Sequence, residues 1–171
     1  MFYKILKAVQ GVHARNVVHR DLKLANIILN TFTGELQLAN FWLGRLLRQE
    51  DELLTEKRGS PAYISSDVLA GKPYLGKPSD MWAMGAIYYT LLFCQFPFYD
   101  SVPRELYKKI KSCQYTIPDP TSFSSKVLEV VRGLLETDPG KNLTCSQVLD
   151  KLGTAPLPPE VQIVNKDDSA G

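Results

Sequence analysis

A chain of 171 residues is long enough for one compact domain with a sizeable core. Its composition, 44% hydrophobic and 22% charged, is that of an ordinary soluble globular protein. The 20 basic and 18 acidic side chains leave a formal net charge of +2, which gives no electrostatic case for nucleic acid or for an anionic membrane surface.

The first stretch is amphipathic. Ile5, Leu6, Val9 and Val12 or His13 recur near helical spacing and predict a helix over 2–15. Met1 to Gln10 lacks the apolar run of a secretory signal. Val17 to Asn26 reads as a loop with charges close together. Ile27–Leu29 is a short apolar strand, Thr33-Gly34 a turn, and Leu36–Leu38 a partner strand, so a small β-hairpin is expected. Asn40 to Gly59 shows no sustained period. It reads as a loop of about 20 residues, a length found mainly in functional or disordered segments.

The remainder reads as helical. Pro78-Ser79-Asp80 opens a helix that is apolar nearly all round through Phe93, which places it in the middle of the core. The apolar run within it, Met81 to Cys94, is short for a bilayer span. Ser101 and Pro103 start the next helix, with Leu106 and Ile110 four apart. Val127, Leu128, Val131, Leu134 and Leu135 form one face of a third, ended by Asp138-Pro139-Gly140. Thr144 and Gln147 make a capping-box pattern before Val148, Leu149 and Leu152. Residues 154–171 are proline-rich and then polar, as in a tail or linker. Cys94, Cys113 and Cys145 are odd in number and form no CxxC pair. They argue against a disulfide framework or a zinc site, and for a reducing compartment.

One motif carries chemistry. His19-Arg20-Asp21-Leu22-Lys23-Leu24-Ala25-Asn26 fits HRDLxxxN at all five specified positions, just before the predicted hairpin. It resembles the catalytic loop of the eukaryotic protein kinases. The resemblance implies that Asp21 takes or orients the proton of a substrate hydroxyl and that Asn26 binds magnesium. It implies that Lys23 neutralises charge on the transferred phosphate, and that Arg20 pairs with a phosphate on the activation loop. Packing of the loop would by itself keep His19 and Arg20. Asp80-Met-Trp82-Ala-Met-Gly85 matches the family's DxWxxG, whose aspartate braces that loop, and Phe96-Pro97-Phe98 matches the loop after the central helix.

Other positions depart from the family. Asn40-Phe41-Trp42 stands where an active kinase has Asp-Phe-Gly. Asn40 keeps an oxygen but loses the charge, and magnesium favours carboxylate and phosphate oxygens. The exchange should weaken the ion by several kcal/mol in a low-dielectric site. Trp42 is expected to pack into or beside the space of the phosphates, or else to fill core. Gly59-Ser60-Pro61-Ala62-Tyr63-Ile64 resembles the segment that receives the substrate hydroxyl residue. Ser65-Ser66-Asp67 replaces Ala-Pro-Glu, and Asn142 replaces the arginine that pairs with that glutamate. A joint change of both partners points to a hydrogen bond or a rewired contact, with Lys141 as a candidate partner for Asp67.

No glycine-rich loop or Val-Ala-Ile-Lys strand occurs in the chain. The expected fold class is therefore mainly α, a protein-kinase-like C-terminal lobe with a small β-hairpin over residues 1–153. The nucleotide-binding N-lobe is absent from the chain, and residues 154–171 form the tail. Arg58-Gly-Ser-Pro-Ala-Tyr-Ile-Ser, Gly76-Lys-Pro-Ser-Asp-Met-Trp-Ala and Gln95-Phe-Pro-Phe-Tyr-Asp-Ser101 add a likeness to the Tribbles-related pseudokinases. That likeness implies an intracellular, cytoplasmic or nuclear adaptor that needs no cofactor. Its partners would be signalling proteins or an E3 ubiquitin ligase, with no nucleic acid and no membrane. Pro158-Pro159-Glu160 faintly echoes the ligase-docking motif of such tails. The alternative is part of a serine/threonine protein kinase, with Asp21 and Lys23 catalytic and Asn26 and Asn40 at Mg-ATP. Thr55 and Ser60 are candidate phosphorylation sites, and a modified Thr55 would meet Arg20.

Overall fold

The computed structural model describes residues 1–153, and the proline-rich and polar tail lies outside the described residues. Six helices and six short strands follow one another: α1 (Phe2–His13), β1 (Val17–Val18), β2 (Ile27–Leu29), β3 (Leu36–Leu38), β4 (Arg45–Leu46), β5 (Leu53–Leu54), α2 (Ser66–Ala70), β6 (Tyr74–Leu75), α3 (Gly76–Phe93), α4 (Pro103–Lys111), α5 (Ser125–Leu134) and α6 (Cys145–Leu152).

Helix α3 is the centre, as its all-round apolar sequence requires. Every residue from Asp80 to Tyr89 is buried. Around it α1 contributes Ile5, Leu6 and Val9, α5 contributes Val130, Val131 and Leu134, and α6 contributes Val148, all in one core. Gly85 lets α5 come close, since a Cβ there would lie 2.9 Å from the Cβ of Leu134. Caps fix the outer helices. Ser124 accepts from the Val127 N–H at 3.4 Å at the start of α5, and Thr144 with Gln147 forms the reciprocal box that opens α6. Pro103 sits in the first turn of α4, where its missing N–H leaves no bond unmade.

The hairpin β2–β3 forms in the expected register, Ile27 opposite Leu38 and Leu29 opposite Leu36. Two other pairings correct the expectation of plain loops on either side of it. Val17 and Val18 pair antiparallel with Leu46 and Arg45. Leu53 and Leu54 pair with Leu75 and Tyr74. Residues 40–59 are thus pinned at two places, and Val18, Leu47, Leu54, Val68 and Tyr74 make a second small core beneath them. Helix α3 also starts earlier than expected, at Gly76, with Pro78 inside the first turn. Among the described residues no helix is long and apolar enough to cross a membrane.

Candidate functional site

The loop between β1 and β2 is shaped by one carboxylate. Asp80 Oδ2 accepts from the His19 N–H at 2.8 Å, and Asp80 Oδ1 from the Arg20 N–H at 2.8 Å. His13 Nε2 on α1 lies 2.9 Å from Asp80 Oδ2. Asp80 is only 2% exposed. This grip holds Arg20 at φ 67°, a left-handed conformation that a non-glycine residue seldom adopts. His19 Nδ1 accepts from the Asp21 N–H at 3.2 Å, so its proton sits on Nε2, which donates to the Ala39 carbonyl at 2.9 Å.

Asp21 projects from this loop towards Ser60. Its Oδ1 accepts from the Ser60 N–H at 2.9 Å and from Ser60 Oγ at 2.8 Å. Its Oδ2 lies 3.0 Å from Lys23 Nζ, and Lys23 also donates to Ser60 Oγ at 2.8 Å. Burial would raise the Asp21 carboxyl, but the Ser60 hydroxyl and the Lys23 ammonium outweigh it and hold it below the usual range. Asp21 is therefore an ionised acceptor facing a serine hydroxyl. Gly59 is required next to it, because at φ 132° only glycine is at ease, and a Cβ would meet the Arg20 carbonyl at 3.2 Å. A cavity of about 260 Å³, counted with its open mouth, runs past Asp21, Arg58, Ser60, Tyr63 and Ile64.

Asn26 donates from Nδ2 to the Asp21 carbonyl at 2.8 Å and approaches Asp21 Oδ2 at 3.3 Å. Its free end, Oδ1, receives the Asn40 Nδ2 amide at 3.4 Å. The structure thus brings Asp21, Lys23, Asn26 and Asn40 together. The chemistry of the last pair differs from that of a metal site. A carboxylate at position 40 would set oxygen against oxygen and call for a cation between them. The amide sets a donor against the Asn26 oxygen, and no negative charge at position 40 calls for a cation. Asp21, the carboxylate beside them, already has both oxygens engaged. This donor set does not fit magnesium.

Asn40 takes up φ 62°, ψ 57° and opens a single tight turn over Phe41–Leu43. Phe41 packs its ring 4.5 Å from His19. Trp42 does not fill core, the second of its two expected placements, for it is 88% exposed. A three-residue turn with no apolar partner above it presents that ring to solvent.

Arg20 meets Glu56 rather than Thr55, which is exposed. Arg20 Nη2 lies 3.2 Å from both the Glu56 carbonyl and Glu56 Oε2. Arg45 Nη1 reaches Glu56 Oε1 at 3.5 Å, and Tyr74 donates to the Glu56 carbonyl at 3.1 Å. Glu56 occupies the position where the resemblance would place a phosphate. Its own backbone N–H and the Arg20 guanidinium hold its carboxyl below the ordinary glutamate value. A depressed carboxyl contributes stability above its unfolded pKa, and that stability is lost as pH falls through the folded value. Glu56→Gln should lower the melting temperature at pH 7 only slightly. The side chain is 41% exposed, and such pairs contribute about 1 kcal/mol or less. The gap between variant and parent should close below about pH 4. Melts across pH 3–7 test this, and a gap that widens in acid would contradict it.

The expected Lys141 contact with Asp67 does not form. Lys141 pairs with Asp138 at 3.2 Å, within its own turn. Asn142 instead donates to the Leu134 carbonyl at 2.9 Å, closing the end of α5. Glu56, Arg45 and His13 were not legible as site residues. Their charges lie in loops or on a helix face, and only the β1–β4 and β5–β6 pairings and the approach of α1 to α3 bring them in.

The family model for the protein kinase domain matches residues 1–152. Among curated proteins, serine/threonine-protein kinase 40 from Xenopus tropicalis is 52% identical over 153 residues, covering 90% of this chain and 34% of that protein. The protein of that name from Homo sapiens is 50% identical over 152 residues, covering 89% and 35%. Tribbles homolog 2 from Canis lupus familiaris is 36% identical over 152 residues, covering 88% and 44%. The chain spans about a third of the length of the curated serine/threonine-protein kinase 40 relatives it matches.

Proposed function

Because the chain belongs to the protein kinase domain family, we propose that it forms the C-terminal, helical lobe of a kinase fold and works as a pseudokinase, an adaptor that binds proteins rather than phosphorylating them. Residues 1–153 are that lobe and residues 154–171 its tail. The observation that carries this reading is the Asn26–Asn40 amide pair, which leaves magnesium no carboxylate of its own. Without the metal arm the nucleotide phosphates lose the ions that would hold them against Asp21. The relatives bear the names of the branch that the sequence resembles; from that resemblance the proposed partners are signalling proteins or an E3 ubiquitin ligase, in the cytoplasm or nucleus.

The test is a thermal melt of the intact protein that carries this chain, with and without Mg-ATP. No rise in melting temperature is expected. Ligand at about 100 times its Kd would add about 2.7 kcal/mol of stability, a shift of about 5–10 °C for a domain of about 150–250 residues. A shift of that order sinks the reading.

One feature favours a second reading, part of an ATP-dependent serine/threonine kinase acting on proteins. Asp21 is ionised, half-buried and paired with Lys23, as a proton acceptor at a substrate hydroxyl would be. Phosphate transfer that disappears in Asp21→Ala would establish that reading in place of the first.

A further inference from the structure

Four buried side-chain polar atoms lack a hydrogen-bond partner among the described residues, and three of them belong to residues lining one cavity. They are Asp67 Oδ2 on α2, Trp82 Nε1 on α3 and Asn142 Oδ1 on the connection between α5 and α6. Trp82 is only 1% exposed, so its indole N–H has no bulk water to turn to. The other oxygen of Asp67 accepts from the Val68 N–H, and the amide nitrogen of Asn142 is used on Leu134. Neither residue can turn to the other without giving up a bond it has. The cavity leaves about 10 Å³ for the centre of a water-sized sphere, about what a single water needs.

The polarity of the three atoms selects the occupant. An indole N–H can only donate, while a carboxylate oxygen and an amide oxygen can only accept. The ligand must therefore accept once and donate twice. A lysine or arginine head from a partner donates only, and would set its protons against the Trp82 N–H. A metal cation meets the same clash. An anion would face the Asp67 carboxylate. Water accepts one bond and donates two, and fills all three vacant valences.

We infer that this cavity is a binding site for one ordered water, which ties α2 to α3 and to the end of α5. The tie has a mechanical meaning. Helix α2 ends the segment that carries Ser60 onto Asp21, and a second contact, Ser65 Oγ to Ser79 Oγ at 2.9 Å, runs beside it. The water completes the seam between that segment and the central helix. It does not depend on whether nucleotide binds.

In the intact protein that carries this chain, the indole N–H resonance of Trp82 is the one that disappears in Trp82→Phe. In NMR spectra that resonance should show NOE and ROE cross-peaks to water of opposite sign, the mark of a water that outlives molecular tumbling. The cross-peaks should persist in Ser66→Ala and Thr137→Val, which remove hydroxyls that line the cavity, and should vanish in Asp67→Ala/Asn142→Ala. In melts, Asp67→Ala and Asn142→Ala should be non-additive, the pair losing about as many degrees as the larger single loss, because both act on one bridge. An indole with no water cross-peak overturns the inference, as does its loss in the hydroxyl variants, full additivity, or a crystal structure with Trp82 Nε1 bonded directly to Asp67.

Discussion

Asp80→Ala should lower the melting temperature by about 10 °C, an effect of about 3–5 kcal/mol at about 2–4 °C per kcal/mol. The carboxylate receives two backbone N–H groups, those of His19 and Arg20, and faces His13 Nε2. Alanine leaves those donors stranded in a buried position, at about 1–3 kcal/mol for each unsatisfied group. It also frees Arg20 from a left-handed conformation that costs about 1–3 kcal/mol to maintain, so the loop should relax as well as weaken. Asp80→Asn keeps one acceptor but turns an amide N–H towards a backbone N–H, and should fall between the two. Melting within about 2 °C of the parent for Asp80→Ala would show that the loop is held by something else.

Gly85→Val should cost nearly as much, about 3 kcal/mol, for a steric reason rather than a polar one. A Cβ at Gly85 would stand 2.9 Å from the Leu134 Cβ and 3.0 Å from a Leu135 methyl. The Leu134 Cβ is fixed to its backbone, so only a movement of α5 away from α3 relieves the contact. Alanine offers a partial offset, because replacing glycine inside a helix contributes about 1 kcal/mol of helix propensity. Gly85→Ala carries the same Cβ contact and should still destabilise, by less than valine, which forgoes part of that gain and adds two methyl groups. Calorimetry on both variants separates the terms. A valine variant as stable as the parent would mean that α3 and α5 do not meet at this point.

What the sequence revealed depended on distance along the chain. The hairpin of Ile27–Leu29 and Leu36–Leu38 was readable in register, because turn and strands are contiguous. The Thr144 box and the buried girth of α3 were readable for the same reason. Asp21, Lys23, Asn26 and Asn40 could be named because they lie within two short motifs on either side of that hairpin. The pairings of Val17 with Leu46 and of Leu54 with Tyr74 could not be read, since two residues give no period and the partners lie far apart. Glu56 was hidden by the same gap. The core-filling alternative for Trp42 failed because an aromatic ring in an aperiodic stretch carries no information about which side it will face. Lys141 was misjudged because its nearest acid, Asp138, is in its own turn.

The two-residue ladders have a consequence in time. Such a ladder has no stability of its own. Each of these joins segments separated by long stretches of chain, and closing those stretches costs entropy before any contact returns it. Each also leans on residues at or near the start of α3, so it gains support only when that helix is in place. The segment that lays Ser60 on Asp21 lies inside the loop that the second ladder closes, between Leu54 and Tyr74. The order of assembly is thus written into the topology: the central helix first, the hairpin by local zippering, and the serine–aspartate contact last.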